Sequence, residues 1–403
     1  MGGDGPFPKP SRRFETVGFS EIVVVRNRVL ALLASGQTVW RFEGGEPYMA
    51  TPQPIKDAMG DALARGQTRY APSSGIPELR DAIVRKVRDR NGIPADDDSP
   101  IVVNGGMHGL FAAFATLLDP GDEVLLFSPY WTPIVDVIDY HGAVPVLVPT
   151  AEARAEGIGA ALARRATGKT KVLYWNSPTN PTGDVFSRRE VEEVCAFVRE
   201  RGLALISDEA YEDLIYEGEA HVSPASLPGM AERTISVFTL SKTYSMTGWR
   251  AGYVIVPPAY RPAMRTVVLY SINGVSTPTQ WAAHAALGLG DEFLRHAKEG
   301  YRRRRDALVT GLRDAGFAVE APRAALYLFP RVPAYLGGGD SRGAAKTLLD
   351  EAGVATVPGL IFGPEGEGHL RFSFSVAEEM IAGGVAALRS FAGARAPRLR
   401  RAD

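Results

Sequence analysis

Apolar positions along this chain follow two rhythms, and the places where the rhythm changes mark out its elements. Between residues 20 and 35, Ile22, Val25, Val29, Leu32 and Leu33 recur at helical spacing, so an amphipathic helix is expected, opened by Ser20 and stopped by Gly36. A short strand over 39–42 and the turn Gly44-Gly45-Glu46-Pro47 follow, and a helix is predicted over 77–90. From about residue 101 to 256 the pattern becomes short, nearly continuous apolar runs: 101–103, 124–127, 171–176, 203–207, 235–240 and 253–256. Such runs suit strands buried on both faces of a parallel sheet. Helical segments alternate with them, among them one opened by a capping box of Ser187 and Glu190. The alternation predicts an α/β chain with a mostly parallel, doubly wound sheet. Functional groups in such sheets gather at the carboxyl ends of the strands.

Beyond Pro278 long helices take over. One is expected over 291–315, with Arg302 to Arg305 facing solvent or another subunit, and another over 341–352. Strands are expected over 325–332 and 370–374. The last residues, 393–403, are rich in arginine and alanine and are expected to be disordered. The expected division is an N-terminal arm with part of a small domain (1–45), a large domain (46–288), a small C-terminal domain (289–392) and the tail (393–403).

The polar residues that end the apolar runs carry the candidate chemistry. Thr239-Leu-Ser-Lys-Thr-Tyr-Ser-Met-Thr-Gly-Trp-Arg-Ala-Gly-Tyr253 leaves one strand, passes hydroxyls, Lys242 and Arg250, and enters another. A lysine amine can condense with an aldehyde, and an arginine with hydroxyls can bind a phosphate dianion. Asn104-Gly-Gly-Met-His108 turns from a strand into an apolar helix, where the N–H groups of Gly106 and Met107 would meet an anion. It lacks the Gly-Lys-Ser/Thr of a P-loop and the Gly-x-Gly-x-x-Gly of a dinucleotide fingerprint. Ser128-Pro-Tyr-Trp131 puts an aromatic at a strand end, with Trp131 and Tyr130 competing to stack on a flat ring. Asp208-Glu-Ala-Tyr211 ends an apolar strand with a carboxylate that can pair with a ring cation or cap a helix.

Composition narrows the partners. The 403 residues carry a formal net charge of −1, which points to no nucleic acid and no anionic membrane. No apolar run reaches membrane-spanning length, and the Gly/Pro-rich start has no apolar leader region, so a cytoplasmic enzyme is expected. Cys195, the single cysteine, excludes an intrachain disulfide and a cysteine-cluster metal site. No metal is expected.

These motifs, in this order and across about 14–391, resemble the class I/II aminotransferases, enzymes of fold type I that use pyridoxal 5′-phosphate. The resemblance implies that fold, with a large domain and a smaller α+β domain, and a homodimer with shared active sites. It makes Lys242 the lysine that holds the cofactor aldehyde and shuttles the proton. Asp208 becomes the partner of the ring nitrogen, with Asn180 (from Asn176-Ser-Pro-Thr-Asn-Pro-Thr-Gly183) and Tyr211 as partners of the phenolic oxygen. Trp131 stacks on the ring. Gly106, Met107, Thr239, Ser241 and Arg250 surround the phosphate, joined by Tyr70 from the neighbouring subunit. Gly45, Asn180 and Arg371 would take the substrate α-carboxylate.

The chain departs from the family on the substrate side. Met107 replaces a polar or basic residue found in many relatives, His108 stands where glutamine is frequent, and Pro322-Arg-Ala-Ala-Leu-Tyr327 replaces Pro-x-Gly-Ala-Phe-Tyr. The expected activity is amino-group transfer between an L-amino acid and a 2-oxo acid, with neutral or aromatic side chains preferred. Elimination, cyclisation, decarboxylation or oxygen-dependent oxidation on the same scaffold is the alternative. A catalytically silent relative is disfavoured by the intact Lys242, Asp208 and Arg250.

Overall fold

The computed structural model describes residues 7–218 and 220–399. Its centre is a seven-stranded sheet in the order Pro100–Val103, Gly252–Ile255, Thr234–Thr239, Ala204–Asp208, Thr170–Asn176, Glu123–Ser128, Val144–Pro149. The last five strands in that order run parallel. Gly252–Ile255 runs antiparallel to both of its neighbours. The Lys242 loop returns the chain beside Thr234–Thr239 in the opposite direction, with Thr239 facing Gly252.

Successive side chains on a strand point to opposite faces, and here each face meets its own helices. Val124, Leu126, Val172, Tyr174 and Ile206 pack toward Leu110 and Phe114 of the helix Gly105–Leu117. The residues between them, Leu125, Leu173, Trp175 and Leu205, pack toward Val191, Val194, Cys195 and Val198 of the helix Arg188–Arg201. Each such buried leucine or valine stabilises the fold by about 1.5–3 kcal/mol. Both hydrogen bonds of the Ser187–Glu190 capping box are present, and Gly202 closes that helix in the left-handed region. Cys195 is buried there, and burial pushes its thiol up to about 12, so it is a packing residue.

A second core gathers Phe42 with Tyr301, Leu308 and Leu312 of the helix Asp291–Asp314 and with Tyr327, Phe372 and Leu388. Two small sheets frame it. One pairs Trp40–Arg41 with Val354–Ala355; the other orders Val357–Pro358, Leu370–Ser373 and Tyr327–Leu328. Here three expectations are corrected. The strand expected over 325–332 shrinks to Tyr327–Leu328, because Ala325 turns into the left-handed region (φ 60°) and Pro330 has no N–H to extend the ladder. Arg305 does not face solvent. It falls on the same helical stripe as Tyr301, Leu308 and Leu312 and is buried, paired with Glu217 at 2.6 Å and donating to the Pro322 carbonyl at 2.9 Å. The final helix runs Glu378–Leu399, into the segment expected to lack order. Alanine favours that continuation, and Arg395 holds it through an ion pair with Glu351. Residues 400–403 and 1–6 lie outside the described residues. No described helix is long and apolar enough to cross a membrane, and no cluster of potential metal ligands occurs among the described residues.

Candidate active site

A cleft of about 800 Å³ opens between the carboxyl ends of the large sheet and the second core. Of the residues given a cofactor or substrate role from the sequence, all but Tyr70 line it. Tyr70 stands apart on the surface, 91% exposed.

The floor is set by strand register. Asn176 and Asp208 are direct partners on adjacent parallel strands, so the asparagine loop and the acidic strand end at the same height. Asn176 donates to the Asp208 carbonyl (3.2 Å) and accepts from the Asn180 N–H (3.1 Å), which fixes Asn180 beside it. The Asp208 carboxylate is buried and accepts from the Tyr174 hydroxyl at 2.8 Å and from the Ala210 N–H at 3.3 Å. Burial pushes its pKa up to about 6, against the pull of those two hydrogen bonds. A buried carboxylate held away from its ordinary range is suited to pairing with a cation placed against it. Trp131 lines this cleft, whereas Tyr130 lines a separate hollow with Phe127 and Thr150 and accepts none of the cleft's surface.

One end of the cleft is built for an anion. The helix Gly105–Leu117 points its amino end there, where the first N–H groups have no partner within the helix. Gly105 has φ +78°, and a Cβ on it would stand 2.8 Å from Nη2 of Arg250. Gly252 crosses behind, where a Cβ would come within 3.1 Å of the Gly106 nitrogen. Arg250 itself is left-handed (φ 56°), and among the described residues its guanidinium donates only to the Thr247 (2.9 Å) and Asn104 (3.3 Å) carbonyls. Thr239 and Ser241 join hydroxyls at 2.9 Å alongside. Glycine backbone, a helix amino end, two hydroxyls and a guanidinium without a carboxylate partner could together hold a phosphate.

The opposite wall carries Arg371. It is buried, donates to Asn180 Oδ1 (3.2 Å) and the Glu43 carbonyl (3.0 Å), and leaves its Nε without a partner. Its guanidinium lies over the rings of Tyr327 (4.4 Å) and Phe362 (4.8 Å). Burial draws its pKa down. A buried guanidinium with an unfilled donor and no carboxylate of its own could take a substrate carboxylate. Lys242 lines the same cleft, with its Nζ donating to the Gly45 carbonyl at 2.7 Å. Gly45 is pressed against Tyr327, whose hydroxyl would stand 2.7 Å from a Cβ at that position.

Three participants were not evident from sequence. Tyr174 sits in an apolar run and reads as core; Asn176 takes its place from strand register; Tyr327 bonds the Tyr211 hydroxyl at 3.0 Å, and burial raises the Tyr211 pKa. Only the last left a signal, as the final residue of the altered Pro322–Tyr327 motif. His108 is placed away from the cleft surface, with Nδ1 accepting from the Asn104 N–H and Nε2 against Ser271 at 2.8 Å. Burial lowers its pKa, so it supplies no cation.

A family model for aminotransferase class I and II matches residues 38–388. The chain belongs to the class I and II aminotransferase family. It is 40% identical over 377 residues to the aspartate/prephenate aminotransferase of Thermus thermophilus, covering 92% of this chain and 95% of that protein. It is 36% identical over 378 residues to aromatic-amino-acid aminotransferase 2 of Thermococcus litoralis, covering 92% and 95%. Among solved structures, the Thermus thermophilus aspartate aminotransferase with maleate superposes with a TM-score of 0.89 at 37% identity, covering 95% of this chain and all of that one. The fold is that of the fold type I aminotransferases, and this family member is an aminotransferase acting between amino acids and 2-oxo acids.

Proposed function

We propose that the cleft binds pyridoxal 5′-phosphate and uses it to move an amino group from a neutral or aromatic L-amino acid to a 2-oxo acid. The observation that carries this reading is the meeting, in one cleft, of an amine (Lys242), a buried carboxylate (Asp208), an anion cradle (Gly106, Met107, Thr239, Ser241, Arg250) and the buried guanidinium of Arg371. When bound, the cofactor supplies an aldehyde that exchanges the amino group and a ring that accepts electrons from the substrate. Asp208 would pair with the ring nitrogen and favour its protonated form. Asn180 and Tyr211 would bond the phenolic oxygen, and Trp131 would cover the ring. Arg371, Asn180 and the Gly45 N–H orient the α-carboxylate. Lys242 Nζ would take the proton from the substrate α-carbon and give it back in the second half of the transfer.

Two lining residues support the substrate preference: Met107 and Tyr48, neither of them charged. A carboxylate buried against them would lose hydration worth several kcal/mol, on the order of what an unpaired charge costs. Phenylalanine or leucine is expected to exceed aspartate in kcat/KM by about tenfold or more, measured in single turnovers with products identified by mass. Aspartate as the best substrate would overturn the preference. Ammonia or a cyclic product in place of an aminated cofactor would overturn transamination itself.

A homodimer with shared sites is supported by the exposure of Tyr70 and of Tyr270, 84% exposed, two large aromatics left bare on one chain. Mixing Tyr70→Phe with Lys242→Ala tests it. After subunit exchange, hybrid dimers should regain up to about a quarter of wild-type sites, as expected for a twofold assembly. Proven exchange with no recovery would count against sharing.

A further inference from the structure

Tyr174 stands where the pattern of the large sheet asks only for an apolar side chain. It alternates with its strand neighbours onto the face that also carries Val172 and Ile206 and packs toward Leu110 and Phe114. Its ring lies 6.2 Å from that of Phe114, and the whole side chain is buried. A phenol hydroxyl in such a place lowers stability unless it has a partner. Its one hydrogen bond to a described residue goes to Oδ2 of Asp208, at 2.8 Å. Sheet register makes the contact. Tyr174 is level with Ile206 and Asn176 with Asp208, so the phenol spans one step along the neighbouring strand, on the same face, to meet the carboxylate.

The other groups around Asp208 do not duplicate this bond. The Ala210 N–H reaches Oδ1 at 3.3 Å, longer than an ordinary amide hydrogen bond. Glu209, the next residue, opposes ionisation of Asp208 and is itself turned to His221 (2.8 Å) and Ser223. Lys242 favours the charged form through space, but its Nζ donates to the Gly45 carbonyl. The Tyr211 hydroxyl is bonded to Tyr327. Behind the phenol is the hollow of about 220 Å³ that Tyr174 and Asn176 also line. Its polar groups engage one another, Arg154 with Asp184 and Glu190, and Thr179 with Thr182. Among the described residues, Tyr174 is therefore the only side chain that donates to Asp208. A hydrogen bond to a carboxylate favours its charged form and here works against burial.

We propose that Tyr174 is a positioning residue for amino-group transfer, its hydroxyl holding the Asp208 carboxylate in the charged form that pairs with the cofactor's ring nitrogen. The proposal rests on the aminotransferase reading of the same cleft. A carboxylate deprived of this donor holds a proton more tightly and competes with the ring nitrogen for it. The test is Tyr174→Phe, which suits the apolar face and removes only the hydroxyl. In the cofactor-free protein, the carbon-13 resonance of the Asp208 carboxyl, identified by its absence from Asp208→Asn, should titrate about one pH unit higher in Tyr174→Phe than in the wild type, as loss of a hydrogen bond to a charged group implies. In the cofactor-loaded protein, kcat for phenylalanine should fall about tenfold while KM stays within about twofold. In the Asp208→Asn background the same change should lower kcat by less than about twofold, because the hydroxyl acts through the carboxylate. An unchanged Asp208 titration overturns the proposal. So does an equal loss of kcat with and without the Asp208 carboxylate, the result that a merely structural role would give. If the loaded protein transfers no amino group while the titration still shifts, the aminotransferase reading fails and the Tyr174–Asp208 assignment stands.

Discussion

Lys242→Ala is expected to lower turnover by about four orders of magnitude or more, the scale seen when a covalent and proton-transferring group is removed. Lys242 is the only lysine that lines the cleft among the described residues, so no second amine can take its place. The loss should fall on kcat, because Arg371 and Asn180 still orient the substrate carboxylate. The variant should also lack the near-visible, pH-sensitive absorbance of the wild-type holoenzyme. Borohydride reduction followed by peptide mass analysis should place the cofactor label on Lys242 in the wild type; a label on any other lysine would remove Lys242 from its role.

Asp208→Asn should fold and bind substrate analogues nearly as the wild type does, yet lose roughly two to four orders of magnitude in kcat. Asparagine keeps the shape and can still meet Tyr174, but it has no charge to hold the ring nitrogen protonated. An unchanged turnover number would exclude the carboxylate from the mechanism. The same substitution has a stability signature in the cofactor-free protein. The folded pKa of Asp208, about 6, lies above its unfolded value, so folding binds a proton. The associated stability is complete below the unfolded pKa of about 3.9 and is lost as pH rises toward 6. Relative to the wild type, cofactor-free Asp208→Asn should therefore gain stability between pH 4 and pH 7. Denaturation midpoints that move in parallel across that range would contradict the burial argument.

Six of the seven strands of the large sheet were legible because they are uninterrupted apolar runs; the edge strand Val144–Pro149, interrupted by Pro145, was not foreseen. The placement of Lys242, Asn180 and Arg250 followed from where those runs stop. What stayed hidden depends on contacts between distant segments. Asn176 reads as a strand's last residue and gains its position only by pairing with Asp208 across the sheet. Arg305 belongs to a run of four arginines that composition alone assigns to solvent, and it is buried because its stripe also carries Tyr301 and Leu308. Arg26 looks like any exposed charge on an amphipathic helix until the helix is seen to border the cleft. The sheet direction of Gly252–Ile255 was equally invisible in its apolar pattern.

The cleft draws its residues from two separate cores. The anion cradle, Asp208, Asn180 and Lys242 hang from the large sheet, whereas Arg371 and Tyr327 belong to the small three-stranded sheet, and Arg26 to the N-terminal helix. The two groups meet at Arg371–Asn180 and Tyr327–Tyr211, so changes away from those contacts leave the packing beneath the first group untouched. A directed search for altered substrate range should find its tolerated substitutions clustered around that N-terminal helix and the Pro322–Tyr327 turn. In this arrangement the chain can diversify what it acts upon while the apparatus that makes it an aminotransferase is inherited intact.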